Sequence, residues 1–507
     1  MENSQNNKEV MNLRNDQDFI TKNNKNDEQK CLSLFEDMIG NNIQYDSPIK
    51  NENGEIYKKF LIYADFTASG KALKSIENFI AKEIFPTYAN VHSTVGLCAE
   101  KTAKYFEQGK DILRDYIEAN WNYSIIFHGQ GATGGVHKLI EILSIKKYES
   151  FYTLLETAYK IKEKFINDTN GEEKFLDICQ TLILQIEEQF KELFLDINFC
   201  FKIKENGKCR TICILCNEEV VCEGGYNEHI NKPIHRQKKE SYDKHPNTEL
   251  FKIHNYNIIY DFIDIIRQNY MNDNNYILKL INDYKRFKPV IFYSLFEHNS
   301  NSLSWKSTNS ETVLIDEEID NDIYSKLESA LIDYNERYIK IGSFTACSNI
   351  TGLLLDIDTI SILMHRYNGF TFFDYAAGGP YLQINVNGPL PDDYRNLLKF
   401  KQLNDYEKDV CFKDGLFFSP NKFIGGPNTP GVLVVHDRIY RNQLKPTQPG
   451  GGTVHFVYKD FIKYIQDVEL KEESGTPNII GSIRVGLMIN LRKQISHSFY
   501  HKKRWIL

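Results

Sequence analysis

An α/β fold with a mostly parallel sheet is what this sequence predicts, on three observations. Strand-like apolar runs alternate with stretches of helical spacing along most of the chain. Such alternation builds a parallel sheet covered on both faces. Polar and glycine-rich segments follow the strand-like runs, where α/β sheets place their ligands. The 507 residues, 41% of them hydrophobic, are enough for two or three domains with ample core.

The elements follow in order. Residues 1–30 are rich in Asn, Lys, Asp and Gln and read as a disordered polar tail. Leu61–Phe66 reads as a strand, 99–117 as a helix, 124–128 as a strand and 134–143 as a helix. From about 144 to 287 the rhythm changes to long amphipathic helical patterns around a Cys/His cluster, which reads as an insertion. The alternation resumes with runs at 289–294, 312–316, 339–345, 370–374, 416–418 and 431–435. The division is therefore 1–30 tail, 31–143 with 288–495 large domain, 144–287 insertion and 496–507 tail.

Net charge is −7, so no global basic field invites nucleic acid. The polar start carries no apolar signal core, and no window nears eighteen uninterrupted apolar residues. That points to the cytoplasm, with the nucleus compatible, and to no membrane span. Ten cysteines in a chain of this length do not make a disulfide scaffold.

Lys422 in Ser419-Pro-Asn-Lys-Phe-Ile-Gly-Gly lies between a strand end and a glycine turn. A lysine so held can form a Schiff base with an aldehyde or ketone. Upstream, Gly129-Gln-Gly-Ala-Thr-Gly-Gly lets backbone approach an anion at a helix start, where Thr133 adds a hydroxyl. The same stretch fits G-x-G-x-x-G, a dinucleotide pattern that would need a strand ending near Glu149. His298 can stack on a flat ring, and Asn349 can donate to a phenolate oxygen. Asp374 follows four residues that belong in a core, so its carboxylate needs a partner such as a protonated pyridine nitrogen. Singly, each also suits an ordinary turn, cap or buried ion pair; their order gives them weight.

That order resembles the class V aminotransferase superfamily, in its cysteine-desulfurase-like branch. The resemblance runs through Tyr63-Ala-Asp-Phe-Thr-Ala-Ser-Gly, Asn90-Val-His-Ser-Thr-Val-Gly, Ile126-Phe-His-Gly-Gln-Gly-Ala-Thr-Gly and Glu297-His-Asn-Ser-Asn-Ser-Leu-Ser-Trp. It continues with Ser348-Asn-Ile-Thr-Gly, Phe373-Asp-Tyr-Ala-Ala, the Lys422 stretch, Gly450-Gly-Gly-Thr-Val and Gly475-Thr-Pro-Asn-Ile-Ile-Gly-Ser-Ile-Arg. It covers about 55–143 and 288–492. It implies a fold type I transferase domain that binds pyridoxal 5'-phosphate and acts on an amino acid. Lys422 would be the Schiff-base lysine and shuttle the proton, Asp374 would pair with the ring nitrogen, and His298 would stack on the ring. Asn349 would contact the ring oxygen, and Ala132, Thr133, Ser419 and Asn421 the phosphate. A homodimer is implied, in which Gly452 and Thr453 reach the neighbour's phosphate.

Three departures accompany the resemblance. Asn421 stands where the family usually has His, and Ala377 where desulfurases usually have Gln. The family continues into a small C-terminal domain with a carboxylate-binding arginine and a mobile cysteine, which nothing after Arg492 supplies. Cofactor binding is therefore the firmer expectation, ahead of turnover.

Within the insertion, Cys213, Cys216, His229 and His235 give C-x2-C-x12-H-x5-H, the ligand set of a tetrahedral zinc site. Cys209 and Cys222 are rival ligands. The spacing within 209–239 resembles matrin-type fingers that bind double-stranded RNA. Lys208, Arg210, Arg236, Lys238 and Lys239 surround it. The second expectation is thus a protein that keeps the fold, with impaired catalysis, and recruits RNA or a protein through the finger.

Overall fold

The computed structural model describes residues 26–92, 95–146, 149–166, 170–186, 200–205, 208–213, 218–221, 276–316, 322–440, 445–459, 462–497 and 499. Its centre is a seven-stranded sheet. The strands are β1 (Tyr123–Phe127), β2 (Val290–Ser294), β3 (Glu311–Ile315), β4 (Lys340–Thr345), β5 (Phe370–Asp374), β6 (Gly415–Phe418) and β7 (Val432–His436). Their order across the sheet is β1-β7-β6-β5-β4-β2-β3. Every pair from β6 to β3 is parallel, and β7 runs antiparallel to both β6 and β1. The expected mixed α/β architecture is present, and most of its strands fall within a residue or two of their expected bounds.

Successive strand residues face opposite sides, and each side has its own core. Ile125, Phe127, Phe292, Leu416, Phe418 and Val434 enter one core with helices α1 (Leu97–Tyr116) and α5 (Ile479–Arg492). Ile126, Ile291, Ile341, Phe372, Phe417 and Leu433 enter the other, with α2 (Gly131–Ile142). Two glycines let α1 and α5 touch: a Cβ on Gly486 would lie 2.6 Å from the Gly109 Cα.

Two expectations need correction. Leu61–Phe66 is not a strand of the sheet; the short strand there is Lys58–Phe60, which pairs only with Gln44–Asp46. The segment after it is shaped by a turn, with the Tyr63 hydroxyl 2.8 Å from the carbonyls of both Asp65 and Ser69. The polar tail also ends early, because a helix spans Asp27–Asp37 with Asn26 as its capping residue. Parts of both ends of the 144–287 stretch also pack against the large domain. Phe151, Leu155, Phe175, Ile281 and Phe287 sit in the same core as β5 and β6. Among the described residues, no helix is long and apolar enough to cross a membrane.

Candidate active site

Parallel strands end on one edge of the sheet, and a cavity of about 1400 Å³ opens there. Its lining takes Gly131, Ala132 and Thr133 from the turn after β1, His298 and Ser300 after β2, and Asn349 after β4. Asp374 at the end of β5 and Ser419, Asn421 and Lys422 after β6 complete it. The structure therefore brings together Ala132, Thr133, His298, Asn349, Asp374, Ser419, Asn421 and Lys422. They span nearly three hundred residues of sequence.

Asp374 is buried, and its Oδ1 accepts a 2.7 Å hydrogen bond from the Ala376 N–H. Its other carboxylate oxygen has no hydrogen-bond partner among the described residues. Burial raises its pKa, against the stabilising Ala376 N–H and the nearby charge of Lys422. Burial lowers the pKa of Lys422, while Asp374 and Asp65 pull it back up. The pair thus favours a site that accepts a positive partner at Asp374 and keeps a reactive amine at Lys422.

Behind Asp374 lies a second acid. Glu297 accepts from Ser294 Oγ at 2.6 Å, Asn301 Nδ2 at 2.7 Å and the Thr345 N–H at 2.8 Å. Burial pushes its pKa up to about 7, and the charge of Asp374 adds to the rise. Glu297 ties β2 to β4 and fixes the start of α3 (Asn299–Lys306). His298 caps that helix, its Nδ1 accepting from the Ser300 N–H at 3.1 Å.

The glycine turn and Ser419 close on each other. Gly131 has φ +55°, and a Cβ there would lie 2.7 Å from Ser419 Oγ. The Ala132 N–H donates to that oxygen at 2.8 Å. Ser419 keeps its own hydroxyl hydrogen for a ligand, whereas the Ala132 N–H is already used. Pyridoxal phosphate fits this donor set: a buried carboxylate with an unpaired oxygen, a half-buried amine that feels its charge, and a hydroxyl at a glycine turn.

Gly452 and Thr453 do not line the cavity. Gly452, at φ +82°, packs on the His92 ring, and the Thr453 hydroxyl donates to the Gly450 carbonyl at 2.7 Å. The dinucleotide alternative fails on Glu149, which begins the helix Glu149–Glu163 instead of ending a strand. Of the expected zinc ligands, Cys213 ends the strand Lys208–Cys213; Cys216, His229 and His235 lie outside the described residues. Among the described residues no cluster of three or more His, Cys, Asp or Glu side chains could hold a metal ion.

Sequence reasoning missed Asp65, Ser300 and Glu473, all of which line the cavity. Each sits inside or beside a stretch noted above, but their polarity alone does not separate them from surface residues.

Comparison with known proteins agrees with the site's composition. Residues 410–506 match the aminotransferase class-V family model. A probable cysteine desulfurase of Borreliella burgdorferi is 27% identical over 241 residues, covering 44% of this chain and 49% of that protein. One from Chlamydia muridarum is 24% identical over 215 residues, 41% of this chain and 46% of the relative. The chain thus spans about half the length of the curated relatives it matches. These matches support the class V aminotransferase superfamily. Among solved structures, a cysteine desulfurase from Thermococcus onnurineus NA1 aligns over 86% of this chain and 68% of its own, with 15% identity and a TM-score of 0.46. An Escherichia coli cysteine desulfurase aligns over the same shares, with 13% identity and a TM-score of 0.43.

Proposed function

We propose that the protein is a pyridoxal-phosphate enzyme acting on a small amino acid, of the cysteine-desulfurase-like kind. The observation that carries this reading is the convergence of Lys422, Asp374, His298 and Ser419 on one cavity. Lys422 would hold the cofactor, with Asp374 at its ring nitrogen, His298 against its ring and Asn349 at its ring oxygen. Thr133, Ser419 and Asn421 would hold its phosphate, with Ala132 shaping the turn. When bound, this group serves as an electron sink for bonds at an amino acid's α-carbon. Asp374 supplies the charge that keeps a proton on the partner nitrogen. Burial leaves more of Lys422 neutral, so its Nζ can take a proton from substrate. Glu297 and the cap at His298 hold the imidazole in place.

Addition of pyridoxal 5'-phosphate to the purified protein tests this. A visible absorbance band that disappears in Lys422→Ala and shifts on adding L-cysteine is expected. A protein that takes up no cofactor refutes the reading.

The domain division, with its tail ending before the helix at Asp27, a homodimer in which Gly452 and Thr453 face the partner, and a cytoplasmic or nuclear location belong to the same proposal. A second reading, a catalytically impaired protein that binds RNA or a protein through a zinc finger, has one support. Cys213 ends a strand and pairs in register with Glu218 of the next, antiparallel strand. A cysteine at such a strand end, with a second three residues on in the sequence, suits a zinc knuckle. Zinc content that is unchanged in Cys213→Ser removes that reading.

A further inference from the structure

The hydroxyl of Thr133 donates to Ser300 Oγ at 2.7 Å. Ser300 Oγ in turn lies 3.0 Å from Nδ1 of His298, the nitrogen that also accepts the Ser300 N–H. Three residues on two helices thus form one chain, from the glycine turn at the start of α2 to the imidazole at the start of α3. All three line the cavity.

The direction of the chain follows from its donors. Ser300 has one hydroxyl hydrogen and already accepts from Thr133, so its own hydrogen goes to Nδ1. The Ser300 backbone can only donate. Nδ1 therefore faces two donors and carries no hydrogen, which leaves the ring neutral with its hydrogen on Nε2.

We propose that Ser300 is a positioning residue that couples the anion cup to the imidazole: it holds His298 as the Nε2–H tautomer, and an anion in the cup alters that hold through Thr133. An anion at the turn competes for the Thr133 hydroxyl hydrogen. Once that hydrogen turns away, the Ser300 oxygen loses a donor and its hydroxyl is free to rotate, so its bond to Nδ1 weakens. Phosphate arriving at one end of the cavity is thereby registered at the ring face on the other. The inference rests on the reading of His298 as the ring-stacking group, but it concerns the protein before any cofactor binds.

The test uses the full chain with 15N-labelled histidine and glycine at pH 8, free of pyridoxal phosphate, with the His298 resonances assigned through His298→Gln. The wild-type protein should show one tautomer, with hydrogen on Nε2, and inorganic phosphate should shift the Nδ1 resonance. Ser300→Ala, whose backbone N–H still donates to Nδ1, should keep the tautomer but lose at least half of the phosphate-induced shift; Ser300→Thr should restore the shift. Should Ser300→Ala fold poorly, Thr133→Val replaces it: the phosphate-induced Nδ1 shift should vanish while the Gly131 amide still reports phosphate. An undiminished shift in either variant overturns the proposal. A locked tautomer in a protein that never takes up pyridoxal phosphate would instead count against the cofactor reading alone.

Discussion

The backbone N–H of Phe127 donates a 2.7 Å hydrogen bond to the Glu473 carboxylate. Two residues earlier on the same strand, the Ile125 N–H donates at 2.8 Å to Glu469. β1 is an edge strand, and its outward N–H groups would otherwise be left without strand partners. Glu469, within the short helix α4 (Val468–Glu472), and Glu473 just after it stand in for the missing strand. Lys110 of α1 lies 3.0 Å from both carboxylates, and Arg114 lies 2.6 Å from Glu469. Since β1 leads straight into the glycine turn, this clamp also sets where the anion cup begins.

Glu473 makes the clamp pH-dependent. Burial pushes its pKa up to about 7 from an ordinary 4.5, despite Lys110 and the Phe127 N–H. A carboxyl raised in the folded state contributes stability that is fully present below its unfolded pKa and is lost as pH rises through about 7. Glu473→Gln should therefore gain on the wild type between pH 5 and 8, by about 3 kcal/mol at most. Glu473→Ala should lose about 1–3 kcal/mol at pH 5, since it strands the Phe127 N–H. Urea denaturation at several pH values measures both, and parallel curves for wild type and Glu473→Gln would contradict the assignment.

Asp374 shows a site whose function opposes stability. Its pKa is raised by burial, so its charge costs the empty protein stability above the ordinary carboxylate range. Asp374→Asn keeps an acceptor for the Ala376 N–H and removes that charge. It should melt at a higher temperature than the wild type at pH 7, with the gap closing as pH falls. It should also bind pyridoxal 5'-phosphate about tenfold or more weakly, as expected for losing a charge-assisted hydrogen bond of about 1.5–3 kcal/mol. Melting curves and a binding titration read the two effects separately.

Asp65 acts on Lys422 through charge. Its carboxylate raises the lysine's pKa against the lowering by burial. Asp65→Asn should therefore let Lys422 lose its proton at lower pH. The rate at which an amine-selective reagent modifies Lys422, followed by mass spectrometry across pH 6–10, reads that midpoint. A midpoint that stays put or moves upward rules out the electrostatic link.

The sheet was legible because its strands are apolar on both faces, so runs such as Phe370–Phe373 stand out without any knowledge of partners. Leu61–Phe66 misled for the same reason: it is an apolar run, yet Ile62 is 87% exposed and the segment bends around the Tyr63 hydroxyl. The helical patterns at 149–163 and 276–287 were visible, but amphipathic spacing does not say which core a stripe joins. They join the sheet's second face. In the site, Lys422, Asp374 and the glycine turn were legible because each strand end announces a polar residue. Ser300 was not: its two hydroxyl contacts include one across 167 residues, and no local pattern encodes such a meeting.

Gly131 carries the closest test of the cup. Its φ of +55° is a left-handed conformation that an L side chain adopts at a cost. A methyl group there would also sit 2.7 Å from Ser419 Oγ, the acceptor of the Ala132 N–H. Strain and crowding act together, so Gly131→Ala should lose about 1–3 kcal/mol of stability. The larger loss should be in anion binding, because Ser419 can yield only by turning its hydroxyl away from Ala132. That frees a buried N–H and moves the hydroxyl proposed to meet phosphate. Inorganic phosphate affinity, followed by calorimetry, should fall at least tenfold in Gly131→Ala. Ser419→Ala, which removes the crowding along with the donor but not the backbone strain, should recover part of the folding stability in the double variant and none of the phosphate binding. Recovery of both would mean that Ser419 serves the turn alone.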